Sequence, residues 1–413
     1  MEEQKTTKLG LVIATVATGL LAGLAAAFLS KVLDLTETFF LNFREDRFHP
    51  VATMTPGLHR LLAVLCGGII AAVIWYLMQR RASHPASVSK AVNGTPMPFW
   101  RTMIDVTTQV FYVGTGGSIG RELAPREAGA MLAQHWQKWV SHHPSLQIRG
   151  DDRRLLVAAA AGAGFAGVYI APLTGTMFCV ELLYRKINGK AIAVAFTMSS
   201  IATLVGATVK GWSPYYEVTD KAFSLKLLPV ALVLAPLLGW LGALFRRGVS
   251  FASGRRATTS KVLWQLPLVA LLTGLVAGPL PQIMGNGRGV AQLAMNTRTV
   301  NESVIILLVV APILKALVTL LTIRGGAYGG VLTPSISIGA CLGALAGIIY
   351  AQLVPGVDLA QCAVIGAVGF LTASQQAPLM ATFMLVEVCH LNYSAFLPLA
   401  ICAGISIAVS HRG

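Results

Sequence analysis

Apolar runs of about twenty residues, repeated along nearly the whole chain, are the strongest constraint in this sequence. They fall roughly at 9–30, 61–79, 103–119, 155–184, 191–209, 227–245, 263–284, 302–323, 329–354, 360–387 and 394–410. A spanning helix needs ~20 mostly apolar residues. A backbone in lipid must also satisfy its own N–H and C=O groups, which restricts it to helices or closed barrels. Runs of this length predict an all-α polytopic membrane protein forming a single transmembrane domain over 1–413. Of the 413 residues, 55% are hydrophobic and 12% are charged, against about 25% charged in a soluble domain. Some runs are shorter, or are interrupted by Gly and Pro. The opening "MEEQKTTK" is acidic at its start and the first run is long enough to span, so no cleavable signal is expected.

The net charge of +15 would suggest nucleic acid in a soluble chain. Here the basic residues fall between the apolar runs: Lys5 and Lys8; Arg80, Arg81 and Lys90; Arg149, Arg153 and Arg154; Arg185, Lys186 and Lys190; and Arg246, Arg247, Arg255, Arg256 and Lys261. Loops of this kind stay on the cytoplasmic side of a membrane. Orientation and lipid contact account for them, and no nucleic-acid partner is expected. The six cysteines are scattered through apolar segments and read as small buried hydrophobes. His142 and His143 have no ligand-type neighbours, so neither a metal nor a cofactor is expected.

The chain contains an internal repeat. "GGSIGRELAP" (116–125) and "GGAYGGVLTP" (325–334) share G-G-x-x-G-x-x-x-x-P at an offset of 209 residues. "APLTGTMFCVE" (171–181) and "APLMATFMLVE" (377–387) match at an offset of 206. Two matches at about half the chain length predict two repeats, about 9–210 and 225–413. Basic residues precede the first run of one half and follow the first run of the other, which predicts inverted topology.

Inverted repeats with Gly- and Pro-broken helices point to a binding site near the bilayer midplane. A helix that starts inside the membrane leaves its first N–H groups without intrahelical partners, and its dipole puts about half a positive charge there. A small anion satisfies both. Glycine permits close backbone approach, and proline is tolerated in a first helical turn. Residues 120–125 and 329–334 therefore read as two helix N-termini, with a small anion as their ligand.

Gly116-Gly117-Ser118-Ile119-Gly120 also fits the G-x-S-x-G of hydrolase nucleophile elbows. The repeat places Ala327 opposite Ser118, so serine is dispensable to the turn. An intramembrane serine hydrolase using Ser118 stands as a distant alternative. Glu122 differs in kind: its repeat counterpart is Val331. A charge inside a membrane segment costs about 2.5–3.5 kcal/mol on insertion scales and marks function by default. Its side chain can fold back onto the N–H groups an anion would use, and protonation would release it. Glu127, one turn on, reads as a structural residue paired with Arg126 or Arg121.

"GRELAP" resembles the G-R/K-E-G-P element of the CLC family of chloride channels and chloride/proton antiporters. "GGVLTP" resembles that family's G-x-F-x-P element. "AAGAGFAGVYIAPLTGTMFCVELLY" is similar to its segment of small residues that ends in A-P-L-x-G and F-x-x-E. The resemblance runs over roughly 60–390, in the family's order. It implies a multi-pass protein of the bacterial inner membrane that is a transporter and not an enzyme. It also implies an inverted-repeat helical fold whose broken helices meet at a midplane anion site, and a homodimer with one pore per subunit. Glu122 would be the gate. Chloride or another small anion would be held near Gly120, Arg121 and Leu123 and near Gly330, Val331 and Leu332.

The departures from the family set further expectations. The family's G-S-G-I-P element should follow Arg80-Arg81, where this chain reads "RRASHPAS", leaving Ser83 as the nearest hydroxyl. Leu332 replaces an aromatic residue. The last tyrosine, Tyr393, aligns with a position that is not an ion ligand, and no C-terminal regulatory domain is expected. The family's inner proton-transfer glutamate is Leu182 here, next to Glu181, which repeats as Glu387 and reads as structural. The resulting expectation is passive or weakly proton-coupled anion flux. A fluoride- or chloride/proton antiporter of the same family is the alternative, with protons as a second partner.

Overall fold

The computed structural model describes residues 6–81 and 84–412. Among these residues there are sixteen α-helices and no named β-strand. In chain order they are α1 Lys8–Leu41, α2 Gly57–Arg81, α3 Val88–Val92, α4 Phe99–Gly114, α5 Leu123–Trp139, α6 Gly150–Tyr169, α7 Pro172–Met177 and α8 Gly189–Lys210. The second half continues with α9 Leu228–Gly254, α10 Val262–Ala277, α11 Arg288–Met295, α12 Glu302–Arg324, α13 Leu332–Ala351, α14 Leu359–Gln375, α15 Pro378–Val388 and α16 Phe396–Arg412. Among the described residues, eight helical segments are long and apolar enough to cross a membrane. The apolar run at 155–184 is two helices, α6 and α7, with a π-helical turn over Phe178–Leu183. The run at 360–387 is likewise α14 and α15.

Both breaks use the same local chemistry. Helix α6 ends at Ile170, which takes a left-handed φ of 54°, and α14 ends at Gln376, with a φ of 58°. Each is followed by Ala-Pro-Leu, and the proline opens the next helix. Proline has no N–H to lose at a first helical position. The turn therefore reverses the chain without stranding a backbone donor in lipid.

Packing divides the chain into two compact units. One comprises Met1–Val32, Ala82–Val110 and Glu122–Ser213. The other comprises Leu33–Arg81, Phe111–Arg121 and Pro214–Gly413. In the first unit α6 packs against α5, α7 and α8. Its Ala158–Gly167 stretch is almost wholly small residues, which lets backbones approach closely where lipid gives no hydrophobic drive for helix association. A Cβ on Gly164 would overlap the Pro125 carbonyl oxygen of α5, and one on Gly129 would overlap the Ala160 carbonyl oxygen of α6. In the second unit α13 and α14 pack in the same way, with Gly339 against the Gly366 carbonyl and Gly343 against the Cys362 carbonyl. The α2/α10 pair, and α9 with α14 and α16, complete this unit.

Backbone cannot move aside as a side chain can, so overpacking at these glycines should exceed the usual cost of about 1–3 kcal/mol. Gly164→Val and Gly339→Val are each expected to abolish monodisperse protein in size-exclusion chromatography. Gly404→Ala, whose added Cβ meets nothing within 4 Å, should elute as the parent does. Normal elution of both valine variants would contradict the packing account.

Candidate functional site

The two repeated Gly-Gly turns end in helices at equivalent positions. Helix α5 starts at Leu123 and α13 at Leu332, with Glu122 and Val331 as the preceding caps. Pro125 and Pro334 occupy the third helical position of each. In the second unit, Gly120 and Gly330 form an antiparallel bridge: each N–H donates to the other's carbonyl at 2.8 Å. The N–H groups of Gly120 and Gly330 are thus committed to each other. These bonds join the two turns. Gly329 sits so tightly that an added Cβ would lie 2.9 Å from the Gly120 carbonyl oxygen.

Glu122 is fully buried, with 0% exposure. Its side chain makes no capping hydrogen bond to α5. The Glu122 carbonyl accepts from Arg126 Nε at 2.7 Å. Leu332 is buried at its helix start. Tyr393 is 87% exposed. Ser83 lies outside the described residues.

Two charged clamps of the second unit were not legible in the sequence. Lys315 on α12 is fully buried, and its Nζ donates to Ser118 Oγ at 2.8 Å, to the Ile283 carbonyl at 3.0 Å and to the Gly285 carbonyl at 2.7 Å. An ammonium has three N–H bonds, and these acceptors match them. Gly285 N–H in turn donates to the Gly116 carbonyl at 3.0 Å. Ser118 is thus a buried anchor point of the turn, held by a cation. The second clamp centres on Glu45. Its carboxylate accepts from Arg121 Nη2 at 3.0 Å and from Arg288 Nη1 at 2.8 Å. Tyr215 lies against both guanidiniums, with ring centroids 5.5 Å and 4.2 Å away, and its hydroxyl accepts from Arg121 Nη2 at 3.2 Å and from Asn286 Nδ2 at 2.8 Å. A charge inside the 302–323 run, as Lys315 is, was the one signal available for the first clamp.

Arg121, Arg288 and Glu45 are each less than a tenth exposed. Removing one partner of a buried ion pair costs roughly 3–5 kcal/mol, because the remaining charge is left buried. Glu45→Gln should therefore lower thermal stability in detergent by about that amount, and Tyr215→Phe by about 1 kcal/mol. Unchanged melting of Glu45→Gln would mean that the clamp does not hold the turn.

The chain shares this architecture with known proteins. The sequence profile described as "Voltage gated chloride channel" matches residues 67–411. The "Voltage-gated ClC-type chloride channel ClcB" of Citrobacter koseri is 26% identical over 396 residues, covering 91% of this chain and 90% of its own. The protein of the same description from Escherichia coli strain SMS-3-5 is 28% identical over 395 residues, covering 91% of this chain and 90% of its own. Among solved structures, a slow cyanobacterial Cl-/H+ antiporter superposes with a TM-score of 0.82 at 22% identity, covering 98% of this chain and 94% of its own. A CLC-type fluoride/proton antiporter superposes with a TM-score of 0.74 at 20% identity, covering 99% of this chain and 98% of its own. The fold is that of the CLC transporters, and the chain, a multi-pass membrane protein, belongs to the voltage-gated chloride channel (CLC) family.

Proposed function

We propose that this protein moves chloride or a similar small anion across a bacterial inner membrane, by way of the helix starts at Arg121–Leu123 and Val331–Leu332, with Glu122 as the gate. The observation that carries the reading is a fully buried carboxylate at the start of α5, at the position where the equivalent helix start of α13 has Val331. A helix N-terminus attracts negative charge, so a carboxylate there competes with a mobile anion, and protonation ends the competition. The protein then acts as a transporter and not an enzyme. It is built of two inverted repeats and works as a homodimer with one pathway per subunit.

The relatives named as chloride channels support chloride as the default anion. The likeness to a fluoride/proton antiporter keeps fluoride as the alternative. Proton coupling is a second reading. Leu182 carries no titratable group, so an inner proton route must use other residues.

Glu122→Gln mimics the protonated gate. In the parent, anion efflux from reconstituted vesicles is expected to rise as the pH falls. In Glu122→Gln it should stay near the parent's low-pH rate at every pH. A variant that keeps the parent's pH profile would remove Glu122 from the gate.

A further inference from the structure

The first unit holds a buried polar chain that none of the anion-pathway residues explains. His84 Nε2 lies 3.0 Å from Asp105 Oδ1. Gln109 Nε2 donates to Asp105 Oδ2 at 2.9 Å and to Glu127 Oε2 at 2.7 Å. Asp105 and Gln109 are fully buried, Glu127 is 3% exposed, and the His84 side chain is 19% exposed. Asp105 and Gln109 are one turn apart on α4, and Glu127 is five residues from Glu122 along α5. Two bonds from one amide nitrogen bring the carboxylates close enough for a single water to bridge them. Gln109 Oε1 is buried and has no protein hydrogen-bond partner, which leaves an acceptor for water beside this amide. A buried amide oxygen in that state is where ordered water binds.

Acidic side chains inside a membrane protein are costly, and they recur where protons are relayed. We propose that His84, Asp105 and Glu127 form the inner proton route of this protein, with water held by Gln109 between the carboxylates and Glu122 as the final acceptor. The inference rests on the reading of Glu122 as a gate. A proton taken up by the partly exposed His84 imidazole passes to Asp105, leaving the imidazole neutral. It then moves through water at Gln109 to Glu127, and on to Glu122. Each step breaks one O–H or N–H bond and forms one O–H bond, so no other reactant is needed. The route does the work for which Leu182 has no group.

Other charged groups lie on α4, α5 and α6. Arg101 lies one turn before Asp105 on α4. Arg126 lies between the two glutamates on α5 and interacts electrostatically with Glu122, Glu127 and Tyr169. Its guanidinium also stacks over Phe178 at 4.9 Å. Along the first turn of α6, Asp151 pairs with Arg154 and Lys186, and Asp152 pairs with Lys190.

The test measures chloride and proton movement together in vesicles under a chloride gradient. The parent should drive protons against their gradient. Asp105→Asn and Glu127→Gln keep shape and remove titration. Each should cut proton movement by about tenfold or more while anion efflux stays within about threefold of the parent. Where one variant fails size-exclusion chromatography, the other carries the test. The relay is overturned if the monodisperse variants keep the parent's proton-to-anion ratio while Glu122→Gln loses it, or if the parent moves anion and no protons. A Glu122→Gln protein with parental anion and proton fluxes would instead strike the gate reading on which the relay rests.

Discussion

Two backbone hydrogen bonds between Gly120 and Gly330 are the interaction on which the rest depends. In lipid no water is present to satisfy an exposed amide, so a chain that breaks its helices inside a membrane must pair those amides within itself. Here the two repeated turns pair with each other. Glycine is required because the chains meet backbone to backbone, and Gly116 and Gly326 adopt φ values of 104° and 118° that a side chain would resist. With the turn glycines bound together, the next residues are the helix starts themselves.

The clamps around this pair serve one end. Lys315 ties Ser118 to the carbonyls of Ile283 and Gly285, and Gly285 holds Gly116. Glu45 ties Arg121 to Arg288. Both turn-side partners lie within five residues of Glu122 in the chain. Burying charge is expensive unless it is hydrogen-bonded, and a structure that spends it on either side of one short turn is holding that turn rigid. The gate role proposed for Glu122 would call for such a frame.

The sequence made the local features legible and hid the long-range ones. The repeat placed both helix starts within the stretches 120–125 and 329–334, because Gly-Gly turns and early prolines are local backbone signals. The broken helices at Ile170 and Gln376 were half-visible: the Ala-Pro-Leu motif was read, but the left-handed residue before it carries no glycine to announce it. That Gly120 and Gly330 bond to each other was hidden, because no spacing tells that two turns 210 residues apart will consume each other's amides. Glu127 interacts with Arg126, as helical proximity suggests, but its hydrogen bond from Gln109, eighteen residues away on α4, has no local signal. Lys315, Asp105 and Glu127 share one sign that the sequence did offer: an ionisable residue within or beside an apolar run. Applied at every such run, and not at Glu122 alone, that rule would have flagged all three.

The central claim is that a small anion crosses the membrane through this protein. The direct measurement is electrically shunted anion efflux from vesicles loaded with chloride, nitrate or fluoride, each compared with protein-free vesicles of the same lipid. The account predicts protein-dependent efflux of at least one of these anions, scaling with the amount of protein reconstituted. Efflux at the protein-free rate for all three, from protein shown to be monodisperse and inserted, would contradict it.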